Sequence, residues 1–142
     1  MRLDHYARAL IGHGADATLV TLNPDGSPQV SVVWIALQTT PEGDDEIVTA
    51  HLGEHKKVRN VRRDPRVALT VISLDRSGTM TPYLSITGTA RVEEGGAPEL
   101  LAELAKTMIG PNAKFPPMDD PPPGHLTRIA IDKVGGVGPW VH

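Results

Sequence analysis

Residues 29–37, Gln-Val-Ser-Val-Val-Trp-Ile-Ala-Leu, predict a strand that is apolar on both faces. This constrains the chain more than any other feature. Side chains along a strand alternate between two faces, so one face here packs a core while the other packs a ligand or a partner. The segments around it predict more strands with short connections. Residues 17–22 (Ala-Thr-Leu-Val-Thr-Leu) form one. Asn23-Pro24-Asp25-Gly26 joins it to the next, with Pro24 presetting its φ and Gly26 accepting a positive one. An exposed turn at 41–45 leads to a third strand at 46–51. Strands at 67–74, 83–92 and 125–131 follow.

Helical spacing appears at Leu3, Tyr6, Ala7, Leu10 and Ile11, predicting a helix over 3–12, and again at Leu100, Leu101, Leu104 and Met108, predicting one over 97–109. Residues 55–63 predict a short basic helix with only Val58 and Val61 apolar, and Asp64-Pro65 ends it. Residues 110–124 hold six prolines and two glycines and read as an irregular loop. The tail, Gly135 to Trp140, reads as flexible backbone carrying an aromatic ring. The order lacks the strand–helix alternation of a doubly wound sheet. It predicts one mainly β (α+β) domain over 1–142, a closed or partly closed antiparallel barrel that leaves few sticky edges.

Bulk properties remove several function classes. With 142 residues there is room for one core. The absence of cysteine excludes disulfides, zinc thiolates and thiol nucleophiles, and fits a reducing cytoplasmic setting. The first residues lack the apolar segment of a secretory signal, and no apolar run is long enough to span a membrane. A net charge of −3 argues against a nucleic-acid partner.

Lys56, Lys57, Arg59, Arg62, Arg63 and Arg66 crowd one short stretch. Lys57 in a first helical turn, with Asn60 one turn on, suits an anion or phosphate. The same charges also suit a solvated face paired with the chain's own acids. His51-Leu52-Gly53-Glu54-His55 matches the H-x-x-E-H pattern of some zinc peptidases. The match falls where a strand turns and Gly53 interrupts any helix, so no metal site is expected. Trp34 suits either the core or a ligand contact. Trp140, after a glycine run, suits a cover over a cofactor ring or a neighbouring subunit, or a plug on its own barrel.

The hairpin Thr21–Pro28 leading into Val30-Ser31-Val32-Val33-Trp34, the segment Lys57-Val58-Arg59-Asn60-Val61-Arg62-Arg63-Asp64-Pro65-Arg66-Val67-Ala68, the strand Ile86–Val92 and the tail Gly138-Pro139-Trp140 together resemble the flavin/deazaflavin oxidoreductase superfamily. These are split β-barrels related to pyridoxine 5′-phosphate oxidase. The resemblance is strongest to the actinobacterial branch that uses the deazaflavin coenzyme F-420. It implies a homodimer with coenzyme in grooves between subunits and a small-molecule substrate. It also implies roles for individual residues: Ser31, Val32, Val33 and Trp34 flanking the ring system, Thr49, Ala50 and His51 along the ribityl and phosphate region, Lys57 and Asn60 on the phosphate, and Trp140 closing the site. Residue 55 is His where some relatives carry Arg. The implied reaction is hydride transfer from reduced coenzyme to an unsaturated acceptor, with the proton from solvent or a nearby donor such as His51 or Tyr83. FMN-dependent or biliverdin-type reduction on the same fold, and non-catalytic coenzyme carriage, are the alternatives.

Overall fold

Six strands, β1 (Ala15–Leu22), β2 (Pro28–Thr39), β3 (Asp45–His51), β4 (Arg66–Ile72), β5 (Tyr83–Glu94) and β6 (His125–Val137), close into a barrel in the order β1-β2-β3-β6-β5-β4. Every paired neighbour is antiparallel. The coordinates are a computed structural model that describes residues 1–75 and 78–142. The barrel interior is filled by alternate positions of each strand, among them Ala17 and Leu19, Val33 and Ile35, Leu69 and Val71, Leu84 and Ile86, and Ile129 and Ile131. With so few aromatic residues in the chain, branched aliphatics make up most of this core, and they suit a pleated surface.

Among the described residues three helices pack against the barrel strands. Helix α1 (His5–Ile11) begins at Asp4, whose carboxylate accepts from Ala7 N at 2.8 Å, and it buries Ala7 and Ile11 beside Leu3. Buried Asp45 clasps its base by accepting from Leu3 N at 2.8 Å and from the Arg8 guanidinium at 2.5 Å. Helix α2 (Lys56–Arg63) buries Val58, Asn60 and Val61 and packs against β1 and β5. Helix α3 (Ala97–Met108) packs against β3 and β2 through a face that includes Leu104 and Ala105.

The barrel expected from the sequence is present, and each expected strand and helix is found with ends shifted by a few residues. The tail is the main correction. Residues 135–137 are strand, not loose backbone: β6 runs on to Val137 and pairs Gly136 with Leu84 and Val137 with Tyr83. The glycines there serve close approach. A Cβ on Gly136, at φ +102°, would strike the Tyr83 carbonyl, and one on Gly138 would strike the Trp140 ring. Beyond them Trp140 turns back into the core, 6% exposed, and its Nε1–H donates to the Tyr83 carbonyl at 2.9 Å.

Candidate functional site

The seam between β2 and β3 is where the barrel opens. Ala36–Thr39 pair with Asp45–Val48, and there the ladder stops. Residues 28–35 pair with β1, and Thr49–His51 pair with β6. The facing edges at Val32–Trp34 and Thr49–His51 therefore have no β2–β3 ladder between them. Main-chain donors and acceptors on such an edge are available to a ligand. One side-chain bond bridges the gap, from Thr49 Oγ1 to the Trp34 carbonyl at 2.8 Å.

A cleft of about 330 Å³ fills this split. Its walls are Val32, Val33 and Trp34 of β2, Thr49, Ala50 and His51 of β3, Leu52, His55, Lys57 of α2, Leu101 of α3 and Phe115. Two kinds of surface meet in it. Trp34, Leu101 and Phe115 form an apolar wall, with the Trp34 and Phe115 ring centroids 5.4 Å apart and tilted by 56°. On the α2 side stands Lys57, half-buried, with no carboxylate partner among the described residues. Burial pushes its pKa below the usual lysine range. The first turn of α2 has no acidic residue, and its N-cap, His55, makes no side-chain cap bond. The positive end of the helix and a lysine without a carboxylate partner among the described residues make a local excess of positive potential that an anion would relieve.

His51 closes the floor. It is 4% exposed, and its Nε2 lies 3.2 Å from Thr127 Oγ1. Burial, then the nearby Lys57, His55 and His125, push its pKa down to about 3, so the imidazole is neutral at ordinary pH. In the unfolded chain the same group protonates near 6.5. Between those values the unfolded state binds the extra proton first, so stability falls as pH drops through this window. About 2 kcal/mol should be lost between pH 7 and pH 5, at roughly 1.4 kcal/mol per pH unit once the pH is below 6.5. Urea unfolding of the native chain and of His51→Gln at both pH values checks this. A native chain no more acid-sensitive than the variant would mean that the imidazole is solvated.

Seven of the residues expected at the site, Val32, Val33, Trp34, Thr49, Ala50, His51 and Lys57, line this one cleft. Three others stand elsewhere. Ser31 lies beside it on β2, and its Oγ is buried without a hydrogen-bond partner. Asn60 is 1% exposed and spends its amide inside the protein. Its Nδ2 donates to Thr21 Oγ1 and to Asn23 Oδ1, each at 3.0 Å, and its Oδ1 accepts from Arg63 at 3.3 Å. It ties α2 to the β1–β2 hairpin and presents no free donor to a phosphate. Trp140 is part of the core and lines no part of this cleft. Tyr83, one of the two possible proton donors, is also absent from its walls. His51 ends a strand and His55 precedes a helix, so the H-x-x-E-H histidines do not share a helix face. No group of three or more His, Cys, Asp or Glu among the described residues could hold a metal ion.

Leu101 and Phe115 were not legible as site residues. Leu101 carries the same periodic signal as the buried face of α3. Phe115 offered a weak signal, being the one phenylalanine in the chain and lying in a proline-rich stretch.

Comparison with known proteins agrees with this architecture. The sequence profile of the pyridoxamine 5′-phosphate oxidase family matches residues 3–138. No curated protein matches the chain. Among solved structures, an F420 reductase superposes with a TM-score of 0.72 at 23% identity, covering 90% of this chain and 94% of that one. The conserved hypothetical protein Rv2991 from Mycobacterium tuberculosis gives 0.70 at 23% identity, covering 96% and 85%. An FMN-binding protein from Syntrophomonas wolfei gives 0.64 at 19% identity, covering 93% and 84%. At these identities the superpositions establish the fold, and the profile match over nearly the whole chain establishes the family. The chain, folded as a split barrel, belongs to the pyridoxamine 5′-phosphate oxidase family.

Proposed function

We propose that this protein is a homodimeric oxidoreductase that binds coenzyme F-420 in the β2–β3 split and reduces an unsaturated small molecule there. The observation that carries the reading is the split itself: open strand edges and an apolar wall at one side, an unpaired half-buried lysine at a helix start on the other. These residues fit a flat heterocycle with an anionic tail. Strand edges suit the ring's polar rim, Val32 and Trp34 suit its face, and Lys57 with the α2 amides suits the phosphate. The deazaflavin is preferred to FMN because Lys57–Ala68 and the tail resemble that branch of the superfamily most. When bound, the coenzyme supplies two-electron hydride chemistry. The protein's part is to orient the ring, to exclude water with Trp34 and Phe115, and to fix the tail. His51 is neutral and thus a poor acid at working pH, so the proton is assigned to solvent.

Lys57→Ala should weaken coenzyme binding about tenfold to a hundredfold, since a charge-assisted bond to phosphate contributes about 1.5–3 kcal/mol. The control is Arg62→Ala. Arg62 is exposed and pairs with Glu54 and Glu94, and surface ion pairs contribute little. Titration with F-420, FMN and haem, followed by fluorescence or absorbance, tests both the site and the coenzyme. Equal losses in the two variants would reduce the basic segment to a diffuse field. FMN that copurifies tightly would overturn the coenzyme assignment, and F-420 binding without turnover would point to a carrier.

Exposed apolar side chains on β2 and β4, and just beyond β4, support the dimer. Val30, Val32, Ile72 and Leu74 are 59%, 69%, 57% and 90% exposed there. A groove of about 760 Å³ beneath α1 is lined by Val32, Ile72 and Leu74 of this set, and Val32 lines both this groove and the cleft. Apolar side chains gathered so densely usually mark an interface. The cleft of one chain is also at the small end for a coenzyme, so a second subunit would complete it. Light scattering after size exclusion should give twice the chain mass at micromolar concentration. A monomer would refute the arrangement.

A further inference from the structure

We propose that Phe115 sets the width of ring system that the cleft admits, acting as its specificity-determining wall. The inference rests on reading the cleft as a site for an aromatic anion. Its geometry is laid out by the topology. Trp34 lies two residues before β2–β3 pairing resumes at Ala36, so it stands at the closed end of the split. Lys57 follows the end of β3 by six residues, in the first turn of α2. Helix α2 packs on β1 and β5, whereas α3 packs on β3 and β2. An anionic group held at Lys57 thus directs an attached ring toward Trp34, Leu101 and Phe115.

Of those three, Phe115 alone comes from outside the regular elements. Trp34 is fixed in a strand and Leu101 in a helix. The 110–124 segment bears no strand or helix, yet it brings Phe115 to the Trp34 ring, with Pro116 buried beside it. Tilted rings at this separation form a favourable contact, so the Phe115 position is a packed wall. Shortening that side chain removes a ring from the end of the cleft and leaves the charged end untouched. A narrow occupant then loses a stacking surface, while a wide one gains room.

Two fluorescent anions that share a sulfonate but differ in ring width separate these effects: naphthalene-2-sulfonate and pyrene-1-sulfonate. In Phe115→Ala the naphthalene compound should bind about threefold more weakly and the pyrene compound about threefold more tightly. The affinity ratio would shift by about tenfold. Phe115→Leu should shift it in the same direction by less, and it serves if the alanine variant folds poorly by thermal melting. Lys57→Ala should weaken both probes alike. Tighter binding of both probes in the Phe115 variants would show a side chain that merely blocks the cleft, and equal weakening of both would show a structural role. An unchanged ratio would place the ring elsewhere. Any of these overturns the proposal. Failure of F-420 and FMN to bind while the sulfonates still sort by width would remove the coenzyme reading and leave this one standing.

Discussion

Trp140→Ala should lower the stability of the ligand-free protein by about 3–5 kcal/mol, the usual cost of truncating a large buried aromatic. For a chain of this length that corresponds to a fall in melting temperature of about 10–15 °C. Three features of the fold combine in the effect. The ring is 6% exposed and packs with Leu3, Ala7 and the barrel strands, so its loss opens a cavity. Its Nε1–H is a partner of the Tyr83 carbonyl at 2.9 Å. Gly138 has no Cβ where the ring folds back, which makes the seat specific to this tail. Removal of residues 138–142 should cost at least as much. Coenzyme affinity of the folded fraction should be little changed, because Trp140 lines no part of the β2–β3 cleft. Thermal melting and coenzyme titration on the same truncated sample decide the matter. A melting temperature within about 2 °C of native with affinity lost tenfold would return Trp140 to the site as a lid.

Asn60→Ala should cost about 2–4 kcal/mol of folding stability. Its amide gives two hydrogen bonds inside the protein, and the atoms that receive them, Thr21 Oγ1 and Asn23 Oδ1, belong to the hairpin that starts β2. Losing the buried donor removes both bonds and leaves two acceptor sites unfilled, at about 1–3 kcal/mol for each, although the Thr21 hydroxyl still donates to Gln29 Oε1 at 3.1 Å. Asn60→Asp makes the sharper test. It keeps the size but has only acceptors when ionised, so it gives nothing to Asn23 Oδ1, and the Thr21 hydroxyl could donate to it only by giving up Gln29. It should destabilise at least as much as the alanine. Lys57→Ala, one turn earlier on the same helix, should leave urea unfolding near native and change coenzyme affinity. If Asn60→Ala instead unfolds like the native chain but binds coenzyme tenfold more weakly, its amide reaches the ligand after all.

The contrast between these neighbours shows where sequence information ends. Strand positions were legible because the core face of each strand repeats every second residue. Leu19 with Ala17, Ile35 with Val33 and Ile86 with Leu84 carry that repeat in their chemistry alone. The hairpin at Asn23–Gly26 was legible for a similar reason: Gly26 sits at φ +84° and its N–H reaches the Asn23 carbonyl at 2.9 Å, a local bond encoded by local residues. The closed barrel followed from strand order and short connections. The density of charge in the basic stretch was legible too, as a candidate anion site or a face paired with the chain's own acids. Which of its residues faces the cleft depends on how α2 rolls against β1, and that is a tertiary matter. The rolled helix turns Asn60 inward to the hairpin and leaves Lys57 at the cleft. The glycines of the tail show the same limit. In sequence a glycine signals freedom, yet Gly136 and Gly138 are required because other groups come too close for a Cβ. Phe115 reaches Trp34 across a loop with no periodicity to report its direction. Composition and period therefore determined the elements, the barrel and the sign of the charge at its mouth. Long-range packing decided which side chains meet there, because contacts between residues far apart in the chain leave no regular pattern along it.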